Sequence, residues 1–113
     1  MELDEKIIKY DKLVRNYIPD IIERTGEKIA VVRRLDDDEY KTYLKKKLAE
    51  EVEEFLESDS MEELADVHTV ICAITKAYGC SNLDFALTVR RKNVARGDFS
   101  DKILLVEVRD KED

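Results

Sequence analysis

A chain of 113 residues supports one domain spanning residues 1–113. Its net charge of −7 opposes any general affinity for nucleic acid, whose phosphates it would repel. Hydrophobic residues make up 43% and charged residues 42%, a mixture that excludes disorder and fits helices with one apolar and one charged face.

Three Gly and one Pro leave long stretches without a breaker. Cys72 and Cys80 lack a CxxC spacing, so neither a zinc site nor a disulfide framework is indicated. The first residues, MELDEKIIKYDK, are charged throughout, unlike a signal peptide. No apolar run approaches the roughly 20 residues of a membrane span, and the expected compartment is the cytoplasm. A chain this short buries only a modest share of its surface, so assembly into an oligomer is in keeping with its size.

In chain order, residues 1–12 read as a lead-in with strand character at Ile7 and Ile8. A short helix is predicted from Ile18 to Arg24, with Pro19 in its first turn and Gly26 as a left-handed stop. Residues 28–34 (KIAVVRR) read as a strand because they are rich in β-branched side chains. Asp36, Asp37 or Asp38 caps a long second helix that runs to about Glu57. Ser60 caps a third, with Glu63 as its capping-box partner, and Gly79 stops it after Tyr78. A fourth helix starts at Ser81 or Asn82 and ends near Arg96, before Gly97. Residues 102–108 (KILLVEV) read as a second strand. The expected fold is mainly α, a helical bundle with two short strands that pair with each other or with a partner subunit.

The informative region is Glu50–Asp66, which holds nine acids and no Lys or Arg. Most acidic runs are solvated helix faces, so the phase of each residue matters. At about 100° per residue, Leu44, Leu48, Val52 and Phe55 fall within an arc of about 80°, and Glu51 lies about 20° from Leu44. Glu54 falls near the border of that arc, whereas Glu50 and Glu53 point further away. On the third helix Glu63 falls inside the stripe of Leu64, Val67, Val70, Ile71, Ile74 and Tyr78, and Asp66 lies at its edge. Two successive helices therefore each turn a carboxylate inward, with a second at i+3. Burying ionised carboxylates without a partner costs several kcal/mol each, about the scale of a small domain's net stability. A divalent cation offsets that cost best, and an all-oxygen set selects Mg²⁺, or Mn²⁺, over zinc or copper.

The run Glu50-Glu51-Val52-Glu53-Glu54, followed by Glu63-Leu64-Ala65-Asp66, resembles the EExxE…ExxD signature of the MazG-like all-α nucleotide pyrophosphohydrolases. Tyr10–Ile22 (YDKLVRNYIPDII) is similar to the KLVRDKIPEII opening of a phosphoribosyl-ATP pyrophosphohydrolase-like subgroup. Asn16 and Tyr17 stand where Asp and Lys are usual. Arg91–Phe99 and the KILLVEV tail resemble that subgroup's C-terminal end.

The resemblance implies a magnesium-dependent enzyme that hydrolyses a nucleoside triphosphate to monophosphate and pyrophosphate, as a homodimer or homotetramer. It implies Glu51, Glu54, Glu63 and Asp66 as metal ligands, with Glu50 or Glu51 receiving the proton of the attacking water. Lys12, Arg15, Lys92, Asn93 and Arg96 are candidates for the triphosphate; planar Arg15 and Arg96 suit it best. His68 reads as a packing histidine, Cys72 as core and Cys80 as loop. Tyr40, Tyr43, Tyr78 and Phe85 read as core or interface. Two other readings stand beside this one: a phosphoribosyl-ATP pyrophosphohydrolase of histidine synthesis, and a non-catalytic, acidic helical adaptor.

Overall fold

A computed structural model describes residues 6–112. Residues 1–5 of the expected lead-in lie outside the described residues. Four helices form, α1 (Ile18–Glu23), α2 (Asp37–Ser58), α3 (Met61–Ala77) and α4 (Asn82–Arg96). Their ends fall within a residue or two of those read from caps and breakers. No helix among the described residues is long and apolar enough to cross a membrane.

The chain divides into two units, one ending at Gly79 and one beginning at Cys80. The first is built on a helical hairpin. Asp36 starts α2 with a full capping box, its carboxylate taking the Glu39 N–H at 2.8 Å while the Glu39 side chain takes the Asp36 N–H. Arg33 adds a two-pronged ion pair to the same Glu39, at 2.9 and 3.2 Å. Asp59, in the left-handed region at φ 54°, ends α2, and Ser60 starts α3 by accepting the Glu63 N–H at 3.1 Å. This two-residue link lays α3 against α2.

Leu44 on α2 and Val70 on α3 are the buried apolar residues of the hairpin, Leu44 with 2% of its surface exposed. Full burial of such a side chain contributes about 1.5–3 kcal/mol. Glu51 and Thr75 are buried with them. Thr75 is satisfied by its hydroxyl donating to the Cys72 carbonyl at 2.8 Å; Glu51 is satisfied at only one of its two oxygens.

The second unit holds α4, capped by Ser81 and stopped at Gly97, whose φ of 80° suits a residue without Cβ. Every described residue from Ser81 onward is exposed.

The two expected strands do not form. Residues 28–34 and 102–108 belong to no strand, and no ladder is present among the described residues. Ile29, Val31, Ile103, Leu104, Val106 and Val108 remain more than four-fifths exposed. β-branched composition favours a pleated surface only where a neighbouring strand takes up the backbone N–H and C=O groups. Neither segment has that neighbour. The strand character expected at Ile7 and Ile8 is absent for the same reason.

Candidate metal centre

Three carboxylates meet on the hairpin. Glu51 from α2 and Glu63 and Asp66 from α3 each offer an oxygen, and these oxygens all lie within 4.8 Å of one another. Helical phase explains the meeting. Glu51 sits beside Leu44 on the face of α2 that packs against α3, and Glu63 and Asp66 stand one turn apart on α3. The cluster could hold a metal ion.

Glu51 is 93% buried, and burial raises its pKa above the ordinary 4.5. The Glu54 carboxylate adds to the rise, and Lys47 opposes it. Lys47 Nζ lies 3.1 Å from Glu51 Oε1 and 3.6 Å from Glu50 Oε1. Glu51 Oε2 and Glu63 Oε2 are buried without any hydrogen-bond partner. Unpaired buried carboxylate oxygens cost free energy that a bound cation would offset.

Glu63 reaches the cluster by leaving its expected local role. Its backbone N–H is capped by Ser60, but its side chain does not return to the Ser60 N–H. That donor goes instead to Ser58 Oγ at 3.2 Å. The expected capping box is therefore half made, and Ser58 frees the Glu63 carboxylate for the interior.

Cations surround the acids. Lys12 Nζ donates to Glu50 Oε1 at 3.0 Å, and Arg15 Nη2 pairs with Asp66 Oδ1. The Glu50 contact raises the Lys12 pKa. Burial works against the ionisation of Glu50, but Lys12 and Lys47 outweigh it and hold this carboxyl below its ordinary value. With all groups ionised, five carboxylates (Glu50, Glu51, Glu54, Glu63, Asp66) face three cations (Lys12, Arg15, Lys47). The excess is two negative charges, the charge of one divalent cation. An all-oxygen donor set with orphaned oxygens fits a hard cation of that kind.

Of the expected ligands, Glu51, Glu63 and Asp66 converge. Glu54 stands close enough to repel Glu51 but is not in the convergent set. Lys12 and Arg15 lie against the carboxylates. Lys92, Asn93 and Arg96 are exposed on α4 in the second unit. Lys47 was missed, and its signal was present in the sequence: it precedes Glu51 by four residues and Glu50 by three, the spacings at which helical side chains meet.

His68 is exposed rather than packed, with Nδ1 3.8 Å from Cys72 Sγ. Cys72 and Cys80 are half-buried and free. Tyr40 and Tyr43 are half-buried. Tyr78 and Phe85 are exposed, and the Tyr78 ring is covered by Lys41 Nζ at 5.0 Å. Comparison with protein-family models, with curated proteins and with solved structures finds no match to this chain.

Proposed function

We propose that this protein is a magnesium-dependent nucleoside triphosphate pyrophosphohydrolase of the MazG-like kind, yielding nucleoside monophosphate and pyrophosphate. The observation that carries the reading is the convergence of Glu51, Glu63 and Asp66 beside two buried, unpaired carboxylate oxygens. These three residues would hold Mg²⁺, with Mn²⁺ as a substitute, and Glu54 would support them from the next turn of α2. A bound divalent cation supplies charge neutralisation at the phosphates and a water of lowered pKa.

The remaining chemistry belongs to the chain. Glu50 is a poor proton acceptor, because Lys12 and Lys47 stabilise its ionised form. Glu51, buried and crowded by Glu54, holds a proton more readily than Glu50 in the metal-free chain; either of the two would receive the water proton. Arg15 and Lys12, which pair with Asp66 and Glu50, would receive phosphate oxygens. The exposed apolar residues of α4 and of residues 103–108 support assembly of copies of the chain, as a homodimer or homotetramer.

The test is a panel of common and damaged nucleoside triphosphates together with phosphoribosyl-ATP, each assayed with Mg²⁺ and with EDTA. Release of pyrophosphate, not orthophosphate, with Mg²⁺ alone is the expected result. No metal-dependent turnover on any substrate would favour the adaptor reading.

A further inference from the structure

In the structure, the positions a metal would neutralise are partly answered by the protein's own cations. Arg15 pairs with Asp66 across 51 residues of sequence, and Lys12 pairs with Glu50 across 38. Both come from one short non-helical segment, residues 10–15, that leads into α1. Asp11 bends its backbone in the left-handed region at φ 45°, and the Arg15 carbonyl accepts the Ile18 N–H at 3.1 Å. Between the two cations, Leu13 and Val14 are half-buried and anchor the segment. The Arg15 side chain itself remains 54% exposed. The guanidinium thus has solvent through which to move.

Asp66 is the carboxylate of the convergent set that Arg15 occupies. Arg15 and a divalent cation at the cluster would therefore draw on one carboxylate. A guanidinium released from Asp66 stays tethered beside the cluster, where a polyphosphate brings oxygens that accept its planar, two-pronged hydrogen bonds. Lys47 differs: it sits on α2, 15% exposed, against Glu51 and Glu50 within its own helix.

We infer that Arg15 is an exchange residue: it neutralises Asp66 when no metal is bound, yields that carboxylate to a divalent cation, and then binds the polyphosphate that arrives with it. This rests on the metal-site reading above and adds to it the order in which Arg15 changes partners. The exchange makes metal and polyphosphate binding mutually reinforcing, because each stabilises the position of Arg15 that the other requires.

The test compares the wild-type chain, Arg15→Gln and the charge-matched control Arg24→Gln, using Mn²⁺ alone and then inorganic tripolyphosphate at saturating Mn²⁺. Removing a competitor that forms a partly exposed ion pair is expected to tighten Mn²⁺ binding about two- to five-fold. Loss of its charge-assisted hydrogen bonds is expected to weaken tripolyphosphate binding about ten-fold or more. Arg24→Gln leaves both affinities within about two-fold of wild type. The opposite signs are the signature, since a merely structural role for Arg15 would move both in one direction. Affinities that change together, that do not change, or that respond equally to Arg24→Gln overturn the inference. Mn²⁺ binding by none of the three proteins overturns the metal-site reading itself, and the exchange with it.

Discussion

Lys47 Nζ reaches Glu51 Oε1 at 3.1 Å from one turn earlier on α2, while Glu51 Oε2 stays buried and unpaired. One half of this carboxylate is answered within its own helix, and the other is buried without a partner among the described residues. The lysine offsets part of the buried charge and leaves Oε2 unpaired.

Lys47→Met follows directly. The substitution keeps most of the aliphatic stem and removes the charge, leaving Glu51 buried with no cation. Complete loss of one partner in a fully buried pair costs about 3–5 kcal/mol. With Lys47 at 15% and Glu51 at 9% side-chain exposure, about 1–3 kcal/mol is expected in EDTA, read as a lower urea midpoint. Saturating Mg²⁺ should restore part of the loss, because it supplies the missing positive charge. An unchanged midpoint in EDTA would show that the pair contributes nothing.

Glu51 also sets a pH dependence in the metal-free protein. Its folded pKa is raised above 4.5, so the folded protein holds this proton more tightly than the unfolded chain does. The stability linked to that proton is present at low pH and is lost as pH climbs from about 4.5 through the raised value. Glu50, with its lowered pKa, runs the other way. Comparing wild type with Glu51→Gln isolates the first effect. In EDTA the variant should gain on wild type as pH rises from 4 to 7, and a constant difference in Tm would contradict the assignment.

Glu54→Gln and Asp66→Asn separate chemistry from folding. Glu54→Gln removes a charge that crowds Glu51, so its Tm in EDTA should hold or rise; Asp66→Asn also gives up the partly exposed Arg15 pair, so its Tm should change little. Mg²⁺-dependent pyrophosphate release should fall by about two orders of magnitude or more, the scale of losing a charge-stabilising group. Wild-type rates in either variant would remove that residue from the centre.

Two substitutions test the scaffold. Leu44→Ala opens a cavity at the most buried side chain of the hairpin and should cost about 2–5 kcal/mol. Ser60→Ala removes the cap of α3 and should cost about 1 kcal/mol. Both are read by urea denaturation. A loss at Ser60 as large as that at Leu44 would mean that Ser60 also holds the Glu63 carboxylate in place.

The helices and the inward phase of Glu51 and Glu63 were legible because both depend on local rules: caps, glycine stops and a 3.6-residue period. Asp36, Ser60, Ser81, Gly79 and Gly97 act at or within a residue of the positions their chemistry indicated. The pairing of Arg15 with Asp66 was not legible, since no local pattern links residues 51 positions apart. Lys47 was legible from its spacing of three and four residues to Glu50 and Glu51. The strands at 28–34 and 102–108 failed because composition records a preference for the pleated state, whereas a strand exists only with a partner. Glu63 shows the competition most clearly. The S-x-x-E spacing favours a capping box, but Ser58 takes the donor and the carboxylate turns to the interior.

Direct titration of Mn²⁺ into the metal-free protein, followed by electron paramagnetic resonance, tests the central claim most closely. The account predicts saturable binding by wild type that weakens at least ten-fold in both Glu63→Gln and Asp66→Asn, with folding retained. Binding that is absent, or unaffected by either substitution, would contradict it.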